Sequence, residues 1–185
     1  MNPRKPNRLK GHDYSQNGYY YFVTICVKDR VDCFGAVKNG KMVVNTNGKI
    51  VSDCWDDLPT HYPHVELDEF IVMPNHVHAI IFMTDRKVVV GDGFKPSPTT
   101  SKTSHGLPEI IRGFKTFSSR KINTTTDIRF QWQRSYYDSI IRGNESLERI
   151  REYIVNNPSQ WNEDPERKGR FETVPYNVKN IMLKV

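Results

Sequence analysis

The chain has 185 residues, 27 Lys+Arg against 21 Asp+Glu, and a net charge of +6, a length that suits one compact domain with tails. Its 37% hydrophobic content is enough for a core, but no apolar run nears the roughly 20 residues that span a bilayer, and the basic start MNPRKPNRLKG lacks the apolar segment of a secretory signal. The three cysteines (Cys26, Cys33, Cys54) are odd in number and lack CxxC spacing, which argues against a disulfide scaffold or a structural zinc site and for a reducing cytoplasm.

The first 13 residues read as a basic arm, with Arg4, Lys5, Arg8 and Lys10 unopposed by acid over the first eleven. Tyr19 to Val27 is aromatic and β-branched, a strand signal. Phe34 to Val44 reads as a hairpin around Asn39-Gly40, a pair suited to a type I′ turn. Ile50, Val51, Cys54, Trp55 and Leu58 share one face of an amphipathic helix that Pro59 should end. Two strands follow, Val65 to Met73 and His76 to Met83, separated by Pro74-Asn75. The second is apolar on both faces apart from its histidines, as an inner strand would be. Residues of about 85–106 are rich in Gly, Pro, Ser and Thr and read as a long loop within one domain.

Leu107, Ile110, Ile111, Phe114 and Phe117 then recur at helical spacing, with Arg112, Lys115, Arg120 and Lys121 between them. Those four cations are a candidate surface for a phosphate backbone, or an ordinary solvated helix face. Trp132 to Ile141 is strand-like. Asn144 can cap a last helix with Leu147, Ile150 and Ile154 as its buried stripe and Pro158 as its stop. The order implies a small α+β domain over residues 14–161, an antiparallel sheet with helices packed on it, followed by an extension over 162–185.

The strongest local chemical signal is His76-Val77-His78. Residues i and i+2 of a strand point to the same face, about 7 Å apart, so both imidazoles can converge on one divalent ion. A chance pairing of two histidines is the plainer alternative. A histidine-triad hydrolase would need a third His where Ile80 stands, and the two-histidine phosphoesterases need His-x-Thr/Ser, where this chain has His78-Ala79-Ile80. In the last helix Tyr153 and Asn157 lie four apart on one face. Asn157 can offer an amide oxygen to a hard ion, and Tyr153 a hydroxyl to what the ion holds. Tyr136 and Tyr137 are rival nucleophiles.

Taken together, YSQNGYYYFVTICVKDR, VELDEFIVMPNHVHAIIF, IIRGFKTF and WQRSYYDSIIRGNESLERIREYIVNNPSQW resemble, in order, the single-tyrosine HUH transposases, and most of all the REP-associated tyrosine transposases. The resemblance implies a ferredoxin-like antiparallel sheet backed by helices. It places the two metal-ligating histidines on His76 and His78, the catalytic tyrosine on Tyr153 and a third ligand on Asn157, where some relatives carry Gln. It further implies Mg²⁺ or Mn²⁺ as cofactor and single-stranded or hairpin DNA as partner. The expected reaction is cleavage and joining through a 5′-phosphotyrosine, by a cytoplasmic, nucleoid-associated enzyme with no membrane partner. A homodimer is one arrangement the resemblance allows. Two other classes share these residues: a catalytically silent nucleic-acid-binding module of the same fold, and a metal-dependent hydrolase using water.

Overall fold

The computed structural model describes residues 11–84, 105–127 and 129–161. Most of the basic arm, nearly all of the expected long loop and the C-terminal extension lie outside the described residues. Strands β1 (Tyr20–Cys26), β4 (Val65–Met73), β5 (His76–Met83) and β6 (Tyr137–Ile141) form one sheet in the order β4-β5-β1-β6, with every neighbouring pair antiparallel. Helix α1 (Thr46–Asp56) connects β1 to β4, and helix α3 (Leu107–Thr125) connects β5 to β6. This is the ferredoxin-like arrangement. A separate hairpin of β2 (Gly35–Lys38) and β3 (Lys41–Val44) is inserted before α1. Asn39 and Gly40 at its turn have φ of 51° and 71°, as a type I′ turn requires.

Side-chain alternation divides the core in two. Tyr21, Val23 and Ile25 of β1, with Val77, Ala79 and Ile81 of β5, face α1 and α3, and meet Val51, Trp55, Ile110 and Phe114 in the larger cluster. The residues between them, Phe22 and Ile80, face the other way. They pack under Leu147, Ile150 and Ile154 of helix α4 (Asn144–Asn156). His76 and His78 flank Val77, so the period of two puts both on the α4 face.

Several element ends differ from the sequence expectation. Helix α1 begins at Thr46 because Asn45 caps it, its side chain accepting from the Gly48 N–H. Pro59 does not end that helix but sits in the first turn of a short helix α2 (Leu58–His61), where its missing N–H costs nothing. Asn144 is the first helical residue of α4 rather than its cap. Gly143 holds the cap position at φ 82°, a conformation open to glycine. Past Asn156 the chain continues as a 3-10 turn, Asn157–Gln160, in which Pro158 occupies the first turn. Strand β6 starts only at Tyr137, because residues before it leave the sheet after a single bridge between Trp132 and Val27.

Helix α4 is tied to the edge strand as well as packed on the sheet. The register of β4 against β5 shifts between Leu67 and Phe70, and a bulge of this kind re-aims the side chains it carries. Asp68, within it, accepts from Arg151 Nε at 2.8 Å and also pairs with Nη2, a bidentate contact. Arg151 holds the Asp68 carboxyl below its usual range.

Candidate active site

The site lies where β5 passes under the end of α4. His76 and His78 are both fully buried, and their Nε2 atoms stand 3.0 Å apart. Their outer nitrogens are held from behind. Asn75 Nδ2 donates to Asp32 Oδ1 at 2.8 Å, which turns its amide oxygen toward His76 Nδ1 at 2.9 Å. An amide oxygen only accepts, so His76 carries its proton on Nδ1 and presents a lone pair at Nε2. Thr24, opposite His78 on β1, places Oγ1 2.8 Å from His78 Nδ1. A hydroxyl donates or accepts, so His78 can present a lone pair at Nε2 as well. Two ring nitrogens fixed from behind and converging in front have the arrangement that a pair of metal ligands with a supporting shell would need.

Burial drives both rings toward the neutral form. His76 is held well below its ordinary value of 6.5 by desolvation first, then by the charges of His78 and Arg30. His78 is pushed down to about 3 by desolvation, with Arg30 adding to it. Neutral imidazole is the form that binds metal. The same shift links folding to pH. The unfolded chain takes up protons on both histidines below about 6.5 while the folded one does not. The histidine contribution should be fully present above pH 6.5 and be lost as pH falls toward 3. Between pH 7 and 5 the melting temperature of the wild type should therefore drop more than that of His76→Ala/His78→Ala, read by circular dichroism. Equal drops would show that the rings titrate alike in both states.

The tyrosine helix completes the group. Tyr153 is half-buried, its ring 5.3 Å from His78 and 6.1 Å from Phe22, both edge-on. Its hydroxyl lies 3.5 Å from His78 Nε2. One turn later Asn157 is 2% exposed, and its Oδ1 is buried with no hydrogen-bond partner among the described residues. Its flanking neighbours at i−4 and i+4 both reach the histidines: Tyr153 touches His78, and Trp161 lies 5.9 Å from His76. Among the described residues no group of three or more His, Cys, Asp or Glu comes together, so were the His pair to hold an ion, a third protein ligand would be of another type. A buried amide oxygen carried between two residues that reach the histidines, together with two neutral imidazoles, is a donor set that fits a divalent ion. Thr24, Asn75, Phe22 and Trp161 were not picked out from the sequence. Only Asn75, beside His76 in PNHVH, carried a positional hint.

Of the rival tyrosines, Tyr136 is buried in the core on the α1/α3 side. Tyr137 pairs with Thr24 across β1 and so shares the sheet face of the histidines. The four α3 cations do not form one surface. The ammonium of Lys115 is half-buried and donates to the carbonyls of Gln133 at 2.5 Å and Arg134 at 3.0 Å. Arg112 is exposed beside Glu109. Lys121 faces the flank that holds Cys54 of α1. Arg120 is exposed.

The sequence pattern of the family described as IS200-like transposases matches residues 99–157, which contain Tyr153 and Asn157 but not the histidine pair. An uncharacterized protein of Haemophilus influenzae is 37% identical over 165 residues, 87% of this chain and 91% of that one. The chain belongs to the IS200-like transposase family. Among solved structures it is similar to a REP-associated tyrosine transposase bound to a REP hairpin, with a TM-score of 0.56 and 15% identity, covering 83% of this chain and 74% of that one. That likeness is one of fold, and it agrees with the four-stranded antiparallel sheet and its helices. A putative transposase from Deinococcus radiodurans aligns with a TM-score of 0.45 and 18% identity, over 80% of this chain and 95% of that one. No helix among the described residues is long and apolar enough to cross a membrane.

Proposed function

We propose that this IS200-like transposase cleaves and rejoins single-stranded DNA at hairpins by transesterification, with Tyr153 as nucleophile and His76, His78 and Asn157 as ligands of a divalent cation, Mg²⁺ or Mn²⁺. The observation that carries the reading is the approach of the Tyr153 hydroxyl to a buried pair of neutral imidazoles, with the buried amide oxygen of Asn157 one helical turn after Tyr153 as the candidate third ligand. Bound there, a cation would polarise the scissile phosphate and offset the charge of its transition state.

The chain's own residues define the rest. Phe22 and His78 hold the Tyr153 ring edge-on, so its hydroxyl is aimed before substrate arrives. The Tyr153 oxygen attacks phosphorus as its proton passes to solvent, the bond to the 3′ oxygen breaks, and that oxygen takes up a proton from solvent and leaves as a free 3′-hydroxyl. The 5′-phosphotyrosine keeps the energy of the phosphodiester, so a 3′-hydroxyl can attack it in turn and release Tyr153 without an external energy source. Asp68 and Arg151 hold the tyrosine helix on its own sheet. One chain therefore supplies all four groups, and this reading needs no partner subunit. A cytoplasmic, nucleoid-associated place of action follows from the substrate.

The test is a hairpin oligonucleotide with single-stranded flanks, incubated with protein and Mg²⁺ and resolved on a denaturing gel. A protein–DNA adduct and a free 3′-hydroxyl end are expected. Cleavage without adduct would favour a water-using hydrolase, and binding without cleavage a silent module.

A further inference from the structure

Helix α3 and residues 129–136 enclose a groove of about 1230 Å³ that the Tyr153 site does not include. It exists because the segment before β6 peels off the sheet. Phe130 and Trp132 turn into the core, 3% and 7% exposed, and the positions before, between and after them carry Arg129, Gln131 and Gln133. The carbonyls that would otherwise pair with a neighbouring strand are taken by the Lys115 ammonium, which donates to Gln133 and Arg134. Lys115 is thus a strut that holds the far wall open.

The lining is cationic. Arg112 stands on the α3 wall, Arg129 and Arg134 stand opposite, and Glu109 is the single acid among the described lining residues. Arg129 and Arg134 make no ion pair with any described residue. Gln133 adds an amide of the kind that reads base edges, and Ser119 and Ser135 add hydroxyls. The wall also leads to the site. The Gln133 N–H donates to the Cys26 carbonyl, and Cys26 is the cross-strand partner of His76. Along the sheet, Gln133 stands two strand spacings, roughly 10 Å, from His76, with the groove on the α3 side and the histidines on the α4 side.

We propose that this groove seats the single-stranded DNA flanking the hairpin, with phosphates on Arg112, Arg129 and Arg134, and that Lys115 positions the wall. A concave, arginine-lined channel suits a strand whose bases are unpaired, because such a strand follows a groove with its backbone while its base edges remain open to polar side chains. The inference rests on the reading of DNA as the substrate, and its test does not depend on cleavage.

The experiment compares wild type, Arg129→Gln/Arg134→Gln and the α1 surface control Lys49→Gln by fluorescence anisotropy in chelator. The probes are a labelled hairpin with a single-stranded flank, the same hairpin without it, and a plain duplex. For the flanked hairpin, the double variant should bind at least about tenfold more weakly at moderate salt, and its log–log salt slope should fall by about 1.4, two phosphates at about 0.7 each. Its affinity for the bare hairpin and the duplex should match wild type, as should its melting temperature. Unchanged binding of the flanked probe would overturn the proposal. Equal weakening on all three probes would overturn it too, since the arginines would then serve general attraction. A missing adduct in the cleavage assay would sink the transesterification reading alone and leave this result standing.

Discussion

Tyr153→Phe is expected to abolish both strand cleavage and the covalent adduct on a hairpin substrate, a loss of at least about 10⁴-fold for removal of a nucleophile. The change deletes one oxygen. The ring keeps its edge-on contacts with Phe22 and His78, and Ile150 and Ile154 still hold the helix in the core. Folding and DNA affinity should stay near wild type, which separates this result from a misfolded protein. Tyr137 is the informative control. It lies on the histidine face of the sheet, opposite Thr24, whereas Tyr136 is buried on the other side. Tyr137→Phe should retain the adduct. If that variant loses the adduct and Tyr153→Phe keeps it, the nucleophile sits on β6 rather than α4.

Removing the histidine pair should be as damaging to cleavage but by another route. His76→Ala or His78→Ala should reduce metal-dependent cleavage by about 100-fold or more, because loss of supporting groups around a metal already costs about 10–100-fold. Each should also weaken Mn²⁺ binding measured by calorimetry. Both rings are fully buried, so alanine leaves a cavity and destabilises by about 2–4 kcal/mol. Assays belong well below the lowered melting temperature. Thr24→Val offers a gentler comparison, since it removes the hydroxyl facing His78 Nδ1 and keeps the side-chain shape. It should give an intermediate loss of about tenfold. Cleavage at the wild-type rate by the double alanine variant would end the metal-site reading.

Much of this protein was legible in its sequence, and the reason is periodicity. Strands β4 and β5 begin and end where the alternation of apolar residues and the Pro74-Asn75 break place them. His-Val-His in a strand puts two imidazoles on one face whatever surrounds it, and four residues of helix put Tyr153 and Asn157 on another. Asn39-Gly40 dictated its turn by its backbone preference alone. These are local properties, fixed by covalent geometry and sterics.

What the tertiary structure alone decided is which face meets which, and what each charge is used for. No spacing reveals that α4 covers the sheet face opposite α1 and α3, or that a bulge in β4 turns Asp68 toward Arg151 to hold it there. The support of His78 by Thr24 depends on strand order, since Thr24 is 54 residues from His78 in the chain and directly opposite it in the sheet, and Asn75, next to His76 in the chain, is oriented by the distant Asp32. The cations of α3 looked like one basic face, yet Lys115 is drawn inward to satisfy carbonyls that the sheet has released, while Arg129 and Arg134 form the opposite wall. A backbone carbonyl without a strand partner must find a donor, and where that donor comes from is settled only when distant parts of the chain pack together.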